Sequence, residues 1–284
     1  MGERTRERDN ERPAGSPAAG GDAKHRQTES VSDALAAWAN ECAGWLALGR
    51  SREAEDLYEI GRRDHIIWAR PGPDAPRGLP VMLLVERTVE EPLLRLHDAV
   101  RRWAVAGLPL YVSLPPEGDV EAWRDAARAL GFRHESVQLL MTCRLRDRRR
   151  GPEPPRHDVA EAVTDRDWDD ALRVIGEVYE DPPGLTAFYN PREAVRLFVA
   201  RARREPAAAA ALWPFGRVAG IYSVATRRRF RRLGFAYAVV EHMLRRAEAE
   251  GFTLASLRTT GLLLPLYMRH GFGVVGEIHR YRLG

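Results

Sequence analysis

An arginine-rich loop and a helix are encoded by ATRRRFRRLGFAYAVVEHMLRRAE, the segment from Ala225 to Glu248. The preceding residues, VAGIYSVAT, are typical of a strand. From about Phe235 to Glu250 the apolar residues follow helical spacing, and Gly251 ends the pattern. The segment therefore predicts a strand, a loop that contains five arginines, and a helix.

This loop has the composition of a phosphate-binding site. Backbone N–H groups at the start of a helix have no partner within the helix and carry the positive end of its dipole. Residues Arg231–Ala236 read R-x-x-G-x-A, and a phosphate can approach the amides closely because Gly234 has no β-carbon and Ala236 has only a methyl group. Taken alone, the hexapeptide fits a solvated basic turn equally well.

Composition limits the class of protein. The chain has 284 residues, of which 44% are hydrophobic and 30% charged, which predicts a globular protein with two domains. The net charge of +4 comes almost wholly from arginine, because Lys24 is the only lysine, and this small excess argues against a general polyanion binder. Cys42 and Cys143 form neither a disulfide framework nor a metal-ligand spacing. Because the chain also shows no secretion signal or membrane span, we expect a cytoplasmic protein with no metal and no membrane contact.

The first half of the chain predicts a disordered tail followed by one mixed α/β domain. Residues 1–29 are too polar to bury a core. Ser30 and Asp33 resemble a capping box ahead of a helix, and a β-hairpin and a buried strand follow it. Thr88 and Glu91 resemble a second capping box, and a strand, a helix and a final strand complete a domain over residues 30–147.

A linker rich in proline, glycine and charge, residues 148–158, separates this domain from a second one over residues 159–284. The second domain starts with a strand, a capped helix and a loop that contains DPPG. Residues 190–204 are predicted to pass from a short helix into a strand. Two strands joined at Gly216, the arginine loop with its helix, a strand, a short helix that ends at Gly271, and a last strand complete the domain.

Two regions in order, VAGIYSVATRRRFRRLGFAYAVVEHML and LRTTGLLLPLYMRHGF, resemble the two signature regions of the GNAT superfamily of N-acetyltransferases. The resemblance covers about residues 159 to 284. It implies a mixed, splayed β-sheet flanked by helices, with acetyl-coenzyme A as acyl donor in the gap between the VAGIYSVAT and FTLASLR strands.

The resemblance also implies the site residues. The pantetheine would pair with the strand end at Val224, Ala225 and Thr226, and Thr260 stands where an asparagine is common in the family. The pyrophosphate would lie on the loop formed by Arg231, Arg232, Leu233, Gly234, Phe235 and Ala236.

Tyr267 is the candidate general acid. Leu266 to Phe272 reads LYMRHGF, which matches the family context of a tyrosine beside the thioester sulfur. A phenol there can protonate the departing thiolate, with Ser223 as the next candidate. The resemblance implies an amine acceptor, on a small molecule or peptide, and Glu177, Glu180 and Asp181 are candidates for attracting it. The identity of the general base and the oligomeric state stay open.

The end of the first domain echoes the end of the second. ARALGFRHESVQLLMTCRL and YMRHGFGVVGEIHRYRL each run through Gly-Phe into a long strand that ends in Arg-Leu. The position of Tyr267 is taken by Ala127, and the segment ERTVEEPLL, which replaces the phosphate loop, has no glycine. We therefore predict a tandem of GNAT-like domains in which residues 30–147 are a degenerate copy without a cofactor loop; an unrelated α/β domain is the alternative.

Two other functions fit parts of the sequence. Arginines 148–150 and 227–232 suit a nucleic-acid-binding protein, but aromatic side chains for base stacking are sparse around them, which argues against nucleic acid as a partner. An inactive sensor that binds coenzyme A without transferring a group is the other alternative.

Overall fold

All strands belong to one mixed β-sheet that runs through both halves of the chain. A computed structural model describes residues 19–50, 58–73, 75, 79–148, 157–179 and 192–284. Within these residues the sheet has eleven strands in the order β1-β2-β3-β4-β11-β5-β10-β9-β8-β7-β6. The strands are β1 (Tyr58–Arg63), β2 (Ile66–Pro71), β3 (Val81–Val85), β4 (Leu110–Ser113), β5 (Arg133–Arg144), β6 (Asp158–Glu161), β7 (Arg196–Ala202), β8 (Glu205–Phe215), β9 (Val218–Thr226), β10 (Leu254–Thr259) and β11 (Gly273–Leu283).

Helices cover both faces of this sheet. Those described are α1 (Ala19–Leu48), α2 (Pro92–Trp103), α3 (Val120–Ala129), α4 (Asp165–Tyr179), α5 (Phe235–Ala249) and α6 (Leu264–Met268). Side chains alternate between the two faces of a strand. On β8, Ala209 and Ala211 join the core under α4, whereas Ala208 and Ala210 join the core under α5. The run of alanines therefore lies between two helical layers.

The last strands of the two halves are exchanged. β5 lies between β10 and β11, and β11 lies between β4 and β5, so each half completes its sheet with the final strand of the other. The buried cores follow the strands, because Met141 and Cys143 of β5 pack under α5 while Tyr281 of β11 packs among the residues of the first half. The two halves therefore share one continuous sheet and each other's cores.

The two parallel strand pairs differ in how far they stay together. β3 and β4 pair over four residue positions, from Val81 with Leu110 to Leu84 with Ser113. β9 and β10 pair over only three, from Val218 with Leu254 to Gly220 with Ser256, and the rest of both strands diverges. The splayed sheet predicted for the second half is confirmed, and the described strands of the first half show no comparable opening.

Most predicted elements are present. The β1–β2 hairpin turns at Asp64 and His65, which both have positive φ as a tight hairpin turn requires. The cap predicted for α4 forms, since the amide of Asp167 donates to Thr164 Oγ1 and the amide of Thr164 donates to Asp167 Oδ2.

Neither capping box of the first half forms. Helix α1 begins at Ala19, so part of the predicted 1–29 tail is helical and Ser30 lies inside the helix. Extending a helix that is already anchored by packing costs little, and Asp33 accepts hydrogen bonds from Arg144 instead. Glu91 is itself the residue before α2, with φ 58° and no side-chain capping hydrogen bond, and Thr88 Oγ1 accepts instead from the amide of Asp119.

The segment over residues 190–204, predicted to pass from a short helix into a strand, is mainly strand where it is described. Residues 192–194 form a turn and β7 begins at Arg196, so the predicted short helix is absent from the described part of this segment. Asn190 and Pro191, on which the helix prediction rested, lie outside the described residues, as does the DPPG loop.

Candidate active site

A cavity of about 370 Å³ occupies the gap where β9 and β10 diverge. Its walls include Ser223 and Val224 of β9, Thr260 at the end of β10, and Tyr267 of α6. Residues that the sequence assigned separately to a donor site and to acid catalysis therefore line one cavity.

A β-bulge shapes the β9 side of this cavity. Ala209 of β8 pairs with Ala225, but Ala211 pairs with Tyr222, so two residues of β9 lie opposite one of β8. Ser223 in the bulge has φ 51°, which is uncommon for a residue with a side chain. A bulge frees backbone groups from the ladder, and the carbonyl of Val224 accepts a hydrogen bond from the Tyr179 hydroxyl at 3.3 Å. No sequence pattern indicated this bulge.

The predicted phosphate loop has the required backbone form. Gly234 is the residue before α5 and has φ 87°. The first hydrogen bond of the helix runs from the amide of Ala238 to the carbonyl of Gly234, which leaves the amides of Phe235 and Ala236 unused within the helix. Arg232 also has positive φ, at 65°. These free amides lie at the positive end of the dipole of α5, an arrangement that suits an anion.

His157 supports this loop from outside. Its Nε2 atom lies 2.9 Å from the carbonyl oxygen of Leu233, and its ring stacks on Phe235 with ring centres 3.8 Å apart. This histidine belongs to the predicted linker, and its sequence context gave no sign of the contact.

The arginines of the loop divide into two groups. Arg227 is mostly buried and pairs with Glu177 at 2.8 Å, and Arg229 pairs with Glu205. Arg231 donates to the carbonyl of Thr226 at 3.2 Å, and Arg232 is exposed. Arg227 therefore fixes the loop to α4, while Arg231 and Arg232 lie on the loop at the start of α5.

Tyr267 is held in a tight turn at the inner side of the cavity. Its carbonyl accepts the amides of His270 and Phe272, and its ring packs edge-to-face on Phe272. The side chain is only 5% exposed. Burial raises the pKa of the Tyr267 hydroxyl, and neighbouring Tyr179 raises it further, so the phenol stays protonated at neutral pH.

Two threonines stand at the ends of the diverging strands, Thr226 at the end of β9 and Thr260 directly after β10, and of these two only Thr260 lines the cavity. Thr226 Oγ1 is buried and has no hydrogen-bond partner among the described residues. Thr260 begins the short 3₁₀ turn Gly261–Leu263 and its carbonyl accepts from Thr259 Oγ1 at 3.2 Å. An unpaired buried hydroxyl at a strand end is consistent with a site that a polar ligand completes.

The acidic residues proposed for the acceptor are not brought together. Glu177 is engaged by Arg227, and Glu180 and Asp181 lie outside the described residues. The carboxylate that does line the cavity is Glu41 of α1. The sequence carried one sign of it, because Glu41 lies three residues after Trp38 and four before Trp45, on the apolar stripe of its helix.

Two absences hold for the described residues. None of their helices is long and apolar enough to cross a membrane. Over the same part of the chain, no group of three or more His, Cys, Asp or Glu side chains is arranged to hold a metal ion.

Residues 160–272 match the model of the Acetyltransferase (GNAT) family. This part of the chain is a GNAT domain. No curated protein matches the chain at a significant level. Solved GNAT structures share the fold across both halves. A GCN5-related N-acetyltransferase from Kribbella flavida aligns with a TM-score of 0.66 at 16% identity, over 88% of this chain and 95% of that one.

Two further solved structures bear on the tandem arrangement of the GNAT fold. A GCN5-related N-acetyltransferase from Sphaerobacter thermophilus has a TM-score of 0.56 at 16% identity, over 77% of this chain and 80% of that one. A tandem GNAT protein from the clavulanic acid biosynthesis pathway has a TM-score of 0.51 at 14% identity, over 77% of this chain and 78% of that one. The prediction of a tandem GNAT-like fold is confirmed, and the family whose model matches residues 160–272 is one of acetyltransferases.

Proposed function

We propose that the protein transfers an acetyl group from acetyl-coenzyme A to a primary amine, with the donor in the β9–β10 gap. The observation that carries this proposal is that the bulged end of β9 and Tyr267 line one cavity, while the loop that follows β9 presents the free amides at the start of α5. They match the three parts that the reaction needs, which are a binding edge for an extended amide chain, an anion site and an acid.

Residues of this chain would hold the donor along its length. Arg231 to Ala236 would bind the pyrophosphate through backbone amides and the dipole of α5. Val224, Ala225, Thr226 and Thr260 would bind the pantetheine, and the buried Thr226 hydroxyl supports this assignment because it lacks a partner in the described chain. The Tyr179 hydroxyl would give up its hydrogen bond to the Val224 carbonyl, and this carbonyl would then accept a hydrogen bond from the pantetheine.

Tyr267 would act as the general acid. The acceptor nitrogen forms a bond to the thioester carbonyl carbon, the carbon–sulfur bond breaks, and Tyr267 gives its proton to the sulfur. The proton that leaves the nitrogen goes to solvent, from which Tyr267 is reprotonated. A group whose pKa is raised by burial is fully protonated when the sulfur departs, as this role requires.

The first half of the chain is proposed to bind no donor. β4 is paired with β3 over its whole length, so the described part of that half has no gap like that between β9 and β10, and α2 starts with Pro92, which lacks the amide that an anion would use. Both cysteines are free and buried, which supports the proposed reducing cytoplasm.

Two arginines of the clusters considered for nucleic-acid binding are engaged within the protein, whereas Arg228, Arg231 and Arg232 are exposed. Arg148 is 1% exposed and pairs with Glu241 at 2.9 Å, and Arg227 pairs with Glu177. Ion-paired, buried arginines cannot contact phosphates, and residues 149–150 lie outside the described chain.

The test uses the full chain in two steps. Calorimetry with acetyl-coenzyme A is expected to give one site per chain, and a screen of primary amines that follows thiol release is expected to find an acceptor. A stoichiometry of two would contradict the inactive first half. Donor binding with no turnover on any amine would favour the coenzyme A sensor.

A further inference from the structure

A buried ion pair from distant parts of the sequence forms part of the cavity wall. Glu41 of α1 is only 2% exposed, and its Oε1 atom accepts from Arg258 of β10 at 2.8 Å and from the Trp45 indole at 3.0 Å. Both charged side chains line the cavity. Among the described residues of the first half, Glu41 of α1 is therefore the one charged side chain that lines the cavity of the second half.

The other oxygen of this carboxylate is unsatisfied. Glu41 Oε2 is buried and has no hydrogen-bond partner among the described residues. The nearby Tyr222 hydroxyl has a single proton, which it donates to Asn40 Oδ1 at 2.9 Å. Burial raises the pKa of the Tyr222 hydroxyl, and the charge of Glu41 and its side-chain contact with this hydroxyl raise the pKa further, so the hydroxyl and the carboxylate are neighbours. Buried acceptors are almost always paired in native proteins.

Stability does not account for this arrangement. Removing two charges from water costs free energy that their attraction repays only when the remaining hydrogen-bonding positions are filled. Here Oε1 has two donors and Oε2 has none. An incoming positively charged donor would fill the empty position and make the pair favourable.

The surroundings match a cation with an apolar body. Glu41 is the one carboxylate, and Arg258 the one cation, among the described residues that line the cavity. The charge of Arg258 is already directed at Oε1. Trp45, Trp213 and Tyr222 present aromatic surface beside the pair, and such surface attracts both ammonium groups and apolar groups.

We propose that Glu41 is the acceptor-binding residue: its Oε2 atom receives the ammonium of a small primary amine whose aliphatic or aromatic body lies against Trp45, Trp213 and Tyr222. This rests on the proposed acetyl transfer and names its substrate class. The acceptor site is then built by both halves of the chain, with the ammonium held by α1 and the thioester by β9 and α6.

The experiment compares Glu41→Gln with wild type, using 2-phenylethylamine and n-butylamine as probes alongside the best amine of the screen. Glutamine keeps the shape but removes the charge, so KM for the amine is expected to rise about 10- to 100-fold, the range for losing a hydrogen bond to a charged group. The Kd for acetyl-coenzyme A is expected to stay within about twofold, because the donor residues are untouched. Glu161→Gln is the matched control: Glu161 also pairs with an arginine, Arg196 at 2.7 Å, but does not line the cavity, and its amine KM is expected to stay unchanged.

Failures of the two proposals look different. Absence of acetyl-coenzyme A binding or thiol release in wild type would overturn acetyl transfer itself. Normal turnover by Glu41→Gln with an unchanged amine KM would overturn only the role of Glu41.

If Glu41→Gln does not fold, inhibition of the wild-type protein by two analogues of the amine tests the proposal instead. The N,N-dimethyl derivative of the best amine and its isopropyl analogue have the same shape, but only the first carries a charged N–H. The charged compound is expected to inhibit at least about tenfold more strongly. Equal inhibition by the two would overturn the proposal.

Discussion

Left-handed backbone occurs at three positions on β9 and the loop that follows it. Ser223, Arg232 and Gly234 have φ values of 51°, 65° and 87°, and all lie on β9 or the loop that follows it. Such conformations are costly for residues with side chains and persist where the surrounding structure imposes them. Here they free amides and carbonyls from the strand ladder and the helix, which is what a ligand-binding edge needs.

Gly234→Val is expected to abolish acetyl-coenzyme A binding. The added branched side chain would stand where the pyrophosphate approaches the amides of α5. Calorimetry would measure the affinity, and circular dichroism the fold. Gly251→Val is a matched control, because Gly251 has the same φ of 87° at the other end of α5 and open space around it. Unchanged affinity in Gly234→Val would remove the phosphate-loop assignment.

Tyr267→Phe is expected to lower kcat by about 10²–10⁴-fold when chemistry limits the rate. The Kd for acetyl-coenzyme A should hardly change, because the ring and its packing on Phe272 remain. Tyr58→Phe serves as the control, since Tyr58 is also buried with a raised pKa but lies outside the cavity. Normal turnover in Tyr267→Phe would reduce this tyrosine to a packing residue.

At the level of helices and strands, α5 is joined by a buried ion pair to Arg148, the first residue of the predicted linker. Glu241 of α5 accepts two hydrogen bonds from Arg148, at 2.9 and 3.1 Å, and lies 3.3 Å from His270. All three side chains are buried. This cluster joins the end of β5, the helix that carries the phosphate loop, and the turn after Tyr267.

Arg148→Met is expected to lower the free energy of unfolding by about 3–5 kcal/mol, because it leaves a buried carboxylate short of a partner. Denaturant titration monitored by tryptophan fluorescence measures this. Arg128→Met removes an exposed ion pair with Asp125 and should cost less than about 1 kcal/mol. Equal costs for the two variants would show that the buried cluster contributes no special stability.

The same cluster predicts loss of stability in acid. Burial lowers the pKa of His270, so below its ordinary value of about 6.5 the unfolded chain binds a proton that the folded chain resists, and stability falls with pH. Burial alone would raise the pKa of Glu241, but hydrogen bonds from His270, Arg148 and Arg245 lower it below its ordinary value. The stability that ionised Glu241 contributes is therefore also lost as the pH falls, at more acid pH than for His270. Between pH 7 and 5, His270→Asn should reduce the slope of unfolding free energy against pH by at most about 1.4 kcal/mol per unit. A slope equal to that of wild type would contradict the assignment.

For the molecule as a whole, the exchange of β5 and β11 makes the two halves interdependent. β5 pairs with β10 and β11 at once, and α1 contacts strands of both halves. Neither half has its full sheet without the other, even though the sequence contains a linker between them.

Cleavage at a protease site inserted between residues 149 and 156 is therefore expected to leave the halves associated. Gel filtration should give one peak of unchanged size, and thermal unfolding one transition, because the shared strands hold the cut chain together. Two separate folded peaks after cleavage would show that the exchange is dispensable.

The family resemblance implied the splayed second half, whereas local patterns in the sequence were enough to predict the β1–β2 hairpin and helix α5 with a glycine at each end. Each of these depends on residues close together in the chain, whose spacing and backbone preferences act before any tertiary contact forms. The partner of Glu41, the exchange of the last strands and the bulge at Ser223 were decided by the tertiary structure alone. Glu41 and Arg258 meet only because α1 crosses the assembled sheet, and the two echoing final strands become neighbours only because each completes the other half's sheet. Short-range periodicity carries no information about pairing between distant segments, which burial and register in the whole sheet determine.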